Sequence, residues 1–208
     1  MLVGSGGFMG VFNLDKMEQT LILSPQFDGN YARSITKIIN STFAVGTTGG
    51  VYMIDISNKD SKPTIMLKGK CVFSVKLINN GNILCGTWWN GYYLLDIGRK
   101  EEKKLGTGDR QNVLNMCLLS SIDAKYNNLA LTLEAGSTVN ILNMDTASII
   151  KIADVVTSEY GFPTDSDMQI TKSSNEENFS FVFISGKDRK EISAFTVRRE
   201  LADLCLSR

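Results

Sequence analysis

A unit of about forty residues returns along this chain, and that repetition constrains the fold more than any other feature of the sequence. Four segments align: LVGSGGFMGVFNLD from Leu2, FAVGTTGGVYMIDI from Phe43, ILCGTWWNGYYLLDI from Ile83 and LALTLEAGSTVNILNMD from Leu129. Each holds a short apolar run, a glycine-rich or polar turn and a second apolar run. Each closes on an acid or amide, at Asp15, Asp55, Asp96 and Asn143, separated by 40, 41 and 47 residues. A fifth, weaker copy passes through Phe179 to Gly186 and then Ile192 to Val197. The runs are short and rich in Val, Ile, Phe and Tyr, which suits strands better than helices. Turn residues separate them, at Thr48-Gly49-Gly50, Asn79-Asn80-Gly81-Asn82, Asn90-Gly91 and Ala135-Gly136-Ser137, and such residues supply the backbone conformations that tight hairpins need.

Further strand-like pieces lie between the copies. Thr20–Leu23, Ile65–Leu67 and Ile149–Ile152 suit an outer strand, and Ile35–Ile39, Val72–Ile78 and Val113–Leu119 an inner one. The spacing is that of four-stranded β-propeller blades. The expectation is an all-β chain of about four to five such blades, forming one propeller domain or propeller fragment over residues 1–208. The blade copies fall near 1–24, 35–67, 72–105, 113–152 and 167–206. A compact five-blade ring fits this count, and so does a piece of a larger propeller completed by further blades of the same or another chain. The piece is preferred, because Leu2 already stands at a second strand. After Val197, Leu201, Leu204 and Cys205 recur at helical spacing, so a short amphipathic helix is expected there.

From Leu67 to Ile97 the sequence LKGKCVFSVKLINNGNILCGTWWNGYYLLDI resembles a WD repeat, with Leu-Lys-Gly at the blade entrance, Ser-Val on the inner strand, an Asn-Gly turn, Cys-Gly and a closing Leu-Asp. Lys70 stands where that family usually has histidine, and Leu95 where it usually has tryptophan. The side-chain network those residues build in typical members therefore cannot form. The resemblance implies a rigid frame whose loops bind other proteins or peptides.

Composition removes competing functions. The chain has no histidine, so the commonest general base and most transition-metal sites are absent. Cys71, Cys85, Cys117 and Cys205 lack metal-ligand spacing and read as reduced thiols. Lysine plus arginine and aspartate plus glutamate each number 22, which leaves no basic field for nucleic acid. No apolar run is long enough for membrane insertion, and no leader stands at the start, so a cytoplasmic location is expected. No cofactor or metal is implied. Gly4 to Gly10 is rich in glycine, yet a strand and not a helix follows it, so it reads as a hairpin and not a phosphate loop. Asp15, Asp55 and Asp96 sit at equivalent turns where each can cap its own backbone. In the acidic stretch Asp154–Asp167 glycine and glutamate do not stand at the positions that a calcium loop requires.

The remaining candidates lie on loops. Trp88 and Trp89 occupy the turn between the second and third strands of the third copy, with Phe8 and Met9 at the equivalent turn of the first and Thr47 and Thr48 in the second. Tyr31, Arg33 and Arg110 belong to connections that reach the same rim, as do Lys68 to Lys70. Aromatic and arginine side chains are the commonest anchors of protein interfaces. A non-catalytic interaction scaffold is thus the favoured reading. The alternatives are a metal-dependent propeller hydrolase, or a structural module of a cytoskeletal or trafficking assembly. The hydrolase would need acids on the inner strands, which carry Thr36, Lys37, Ser74, Lys76 and Asn115 instead.

Overall fold

The computed structural model describes residues 2–5, 8–23, 27–58, 60–78, 81–106, 110–135, 138–154, 169–172, 177–185 and 191–208. Eighteen strands and a terminal helix are described, and every sheet runs antiparallel in chain order. The first sheet holds β1 (Leu2–Ser5), β2 (Phe8–Asn13) and β3 (Glu18–Ile22). The second holds β4 (Ala32–Ile39), β5 (Thr42–Thr47), β6 (Gly50–Asp55) and β7 (Thr64–Met66). The third holds β8 (Val72–Leu77), β9 (Ile83–Thr87), β10 (Gly91–Asp96) and β11 (Glu101–Leu105). The fourth holds β12 (Val113–Leu118), β13 (Leu129–Glu134), β14 (Thr138–Asn143) and β15 (Ile149–Asp154). The fifth holds β16 (Gln169–Lys172), β17 (Asn178–Ser185) and β18 (Glu191–Arg198), and helix α1 (Arg199–Leu206) follows.

Successive sheets stack face to face, with β4 against β8 and β8 against β12 on the inner side. A sheet covered on both faces needs apolar residues at every position, so β9 (Ile-Leu-Cys-Gly-Thr) is buried throughout. The outer strand β11 (Glu-Glu-Lys-Lys-Leu) is charged and exposed except at Leu105, which discourages pairing with a foreign strand. Each joint between sheets has its own core. Met9, Phe27 and Tyr52 fill the first, and Val51, Leu67, Val72 and Leu95 the second. Leu84, Tyr92, Val113 and Met116 fill the third, and Leu131, Ile141, Phe179 and Phe181 the fourth, together with Ala202 and Cys205 of α1.

Two glycines set how closely the sheets approach. Gly46 faces Ser34 in the ladder and Gly86 faces Ser74, so they occupy one repeat position. A β-carbon on Gly46 would lie 3.1 Å from the Val72 carbonyl oxygen and Cγ1 of the next sheet, and one on Gly86 only 2.5 Å from Val113 Cγ1. In the fourth sheet Leu133 holds this position, opposite Asn115, and its side chain is buried in the fourth core.

Two sequence expectations are corrected. The equivalent strands β2, β6, β10 and β14 end at Asn13, Asp55, Asp96 and Asn143, so the capping residue of the first unit is Asn13 and not Asp15. Asn13 Oδ1 accepts the backbone N–H groups of Asp15 and Lys16, as Asp55 does from Ser57 and Asp96 from Arg99. The terminal helix forms, but it buries Ala202 and Cys205 and leaves Leu204 exposed. It is fastened by Asn143 Nδ2 donating to the Cys205 carbonyl and by the Tyr126 hydroxyl donating to Asp203. Residues 155–167 of the acidic stretch lie outside the described residues, as do Gly6 and Gly7.

Candidate functional site

One backbone irregularity recurs at the same place in β4, β8 and β12. The ladder shifts between Ala32 and Ser34, between Val72 and Ser74, and between Val113 and Asn115. Each shift is a β-bulge, in which an extra residue re-aims a side chain at the end of a strand. The residues so placed are Arg33, Phe73 and Leu114. Immediately before each inner strand, a carbonyl accepts from the turn that joins the second and third strands of the same sheet. Thr48 N donates to the Tyr31 carbonyl at 3.1 Å, Trp88 N to Cys71 at 2.8 Å and Ala135 N to Asn112 at 2.8 Å. The bulges and these turns therefore share one rim.

Across the second and third sheets the rim carries a continuous row of cation and rings. The Arg33 guanidinium carbon sits 5.0 Å from the centre of the Phe73 ring. Phe73 lies 5.3 Å from the half-buried Trp88, and Trp88 meets Trp89 edge-on at 6.1 Å. Cation–ring contacts of this kind contribute about 0.5–1 kcal/mol at exposed sites. Trp89 is 57% exposed, although aromatic side chains normally hide most of their surface.

The backbone holds Trp89 in that position. Its φ is +75°, and Arg110 on the neighbouring connection is also left-handed at +76°. Trp89 N donates to Asn112 Oδ1 at 2.6 Å, and Arg110 N donates to the Trp89 carbonyl at 3.0 Å. A bulky residue in this region is strained by about 1–3 kcal/mol unless its surroundings impose the conformation. Here two connections clasp each other to impose it. Cys71, half-buried beneath the row, has its thiol pushed up by burial while Arg33 opposes the shift, so it is a poor thiolate at neutral pH.

The structure thus brings Arg33, Trp88, Trp89 and Arg110 into one connected group. Tyr31 is exposed on the same rim, beside Thr48. Lys70 places its ammonium 5.4 Å from the Tyr93 ring centre, and Leu95 is fully buried in the core. Met9 does not belong to the rim. It is already inside β2 and buried in the first joint, because the strand starts at Phe8, paired with Ser5. Phe8 is placed by that pairing alone, its side chain lying outside the described residues. Phe73 is the member that sequence reasoning missed, since nothing in Val-Phe-Ser-Val marks a bulge. Among the described residues no three His, Cys, Asp or Glu side chains are grouped so as to hold a metal ion. No helix among them is long and apolar enough to cross a membrane.

Stacked antiparallel sheets whose strands β4, β8 and β12 pack side by side on the inner side define the class: the chain has a β-propeller fold. Solved structures agree. The chain is similar to the Cps50 (Swd1) β-propeller domain of Myceliophteria thermophila (TM-score 0.58, 10% identity, 91% of this chain and 65% of that one). It is similar to Hsv2 of Kluyvelomyces marxianus (TM-score 0.54, 12% identity, 88% of this chain and 58% of that one). It is also similar to the computationally designed Ika8 protein (TM-score 0.55, 11% identity, 94% of this chain and 55% of that one). The chain spans little more than half to two thirds of these structures, and at such identities the likeness shows the fold alone. No protein-family model and no curated protein matches the sequence significantly.

Proposed function

We propose that this chain is a non-catalytic, WD-repeat-like scaffold that binds other proteins through the rim over its second and third sheets. The single observation behind this reading is the row Arg33–Phe73–Trp88–Trp89, which ends in an exposed tryptophan held by two strained, mutually bonded connections. A rigid aromatic anchor loses little conformational entropy on binding, and burying one contributes 2 kcal/mol or more at interface hot spots (about that much on truncation). Catalysis finds little support: β4, β8 and β12 present no acid, and Cys71 is not activated. The four thiols, none in a disulfide, suit a reducing, cytoplasmic setting. Further blades from the same or another chain fit the scaffold reading equally well.

The test is to immobilise the chain, expose it to cell extract and compare retained polypeptides with those held by a Trp89→Gly variant. Glycine accepts the left-handed backbone without strain, so the fold is expected to survive while captured partners fall at least tenfold. Unchanged capture by a folded variant refutes the assignment of the rim.

A further inference from the structure

We infer that this chain forms a two-fold dimer in which β18 pairs edge to edge with β18 of a second copy. Among the described residues β18 is paired on one side only, by β17, whereas the equivalent strands β2, β6, β10 and β14 each carry an outer strand as well. The reason is visible at the strand end. Those four close on Asn13, Asp55, Asp96 and Asn143, whose side-chain oxygens accept the backbone N–H groups of the turn into the next strand. β18 closes on Arg198, and a guanidinium has no acceptor to offer. The chain leaves Arg198 as α1, which packs on β14 and β15 of the fourth sheet instead of returning along β18.

An open edge strand invites association, and native sheets blunt it with short strands, charges, proline or bulges. Each outer strand of this chain carries such a device. β3 and β15 are bulged against their neighbours, and β15 also holds the Lys151–Asp154 ion pair at 2.7 Å. β7 has three residues and follows Pro63, and β11 is charged at every position but Leu105. β18 has none of these. It runs for eight residues, pairs with β17 without a register shift, and reads Ile-Ser-Ala-Phe-Thr-Val, free of charge, between Glu191 and Arg198.

Such an edge fits its own copy. An antiparallel edge shows the same alternation of N–H and C=O from either end, and a two-fold axis normal to the sheet closes the assembly at two chains. Opposite residues in an antiparallel ladder share a face, so the axis passes through a residue paired with its own copy. With Phe195 on the axis, Ala194 stands opposite Thr196, Ser193 opposite Val197 and Ile192 opposite Arg198 of the second copy, and no two like charges are opposed.

Sedimentation of the purified chain over a concentration series is the test. The expected result is a reversible shift from the 22.9 kDa of one chain to twice that mass. Hydrogen exchange at residues 191–198 should slow with it, at the higher concentrations alone. Thr196 is exposed, so Thr196→Lys gives β18 the kind of charge that β11 carries without touching the core. It should weaken dimerisation about tenfold, since two cross-strand pairs are lost per dimer, while Thr196→Val leaves dimerisation unchanged. Circular dichroism checks that both variants fold; if Thr196→Lys does not, hydrogen exchange of the wild-type chain decides alone. A chain that stays monomeric at about 1 mM, a dimer that a folded Thr196→Lys leaves intact, protection arising outside 191–198, or growth beyond two copies overturns the inference. Protection of 191–198 that appears in a monomeric chain only on adding cell extract also overturns it, and gives the edge to a strand of another protein.

Discussion

The joint between the second and third sheets and the joint between the third and fourth are built from the same repeat positions, but they are held differently. In the first, Gly46 faces Val51 in the ladder, and Ser34 Oγ accepts Val75 N across the joint at 3.2 Å. In the second, Gly86 faces Tyr92, whose buried hydroxyl crosses to Thr132 and Glu134 at 2.7 Å each. Ser74 repeats Ser34 but is buried with no hydrogen-bond partner, because Met116 N, the counterpart of Val75 N, donates to Asn115 Oδ1 instead. The repeat therefore fixes the shape of a joint through its glycine, and leaves the choice of crossing hydrogen bond to whichever side chain can reach.

The comparison is most severely tested at the glycines. Gly86→Ala drives a β-carbon to 2.5 Å from Val113 and should cost about 3 kcal/mol, whereas Gly46→Ala, with 3.1 Å to its neighbours, should cost about 1 kcal/mol or less. Urea unfolding of both variants measures this, and equal losses would mean the two joints are equally tight. Next in size is Tyr92→Phe, which strands Thr132 and Glu134 and should cost about 2 kcal/mol. Burial also pushes the Tyr92 phenol well above its ordinary range, so it donates at all physiological pH values.

A finer contrast uses the serines. Ser34→Ala leaves Val75 N without its partner and should cost about 1 kcal/mol, while Ser74→Ala removes an unpaired buried hydroxyl and should be neutral or slightly stabilising. Matching effects would show that Ser74 is bonded in solution. The smallest expected effect concerns the capping turns. Hydrogen bonds from the Ser41 and Ser57 hydroxyls, then from Ser57 N, hold the Asp55 carboxyl below its ordinary 3.8. A carboxylate lowered in the folded chain stabilises it well above that value, and the contribution is lost as pH falls through the lowered one. Wild type should therefore lose slightly more stability between pH 7 and pH 3 than Asp55→Asn, as read from the urea midpoints.

Much of this organisation was readable in the residues. The strands were legible because Val, Ile and Leu runs of four to seven residues alternate with Asn-Gly and Gly-Gly turns, and the tryptophans because a turn is where such side chains stand out. Arg33 and Arg110 were visible as members of connections. The link from Arg33 through Phe73 to Trp88, and the backbone bond from Arg110 to Trp89, were not, because they depend on a bulge and on left-handed residues that Arg, Phe and Trp do not signal. The same blindness displaced Met9: a glycine-rich stretch hides where a strand resumes, and one step along a strand exchanges inside for outside. Asp15 was mistaken for Asn13 because an amide and an acid cap a turn equally well.

The recurring bulge has a wider consequence. It acts as a socket, since the residue it lifts out of register departs from the alternation that the rest of its strand follows. Three such sockets hold an exposed cation in Arg33, a half-buried ring in Phe73 and a buried aliphatic chain in Leu114. The chemistry presented at the mouth of this fold can therefore be changed at Arg33 without renegotiating how two sheets meet, whereas the same socket in the fourth sheet is given over to packing.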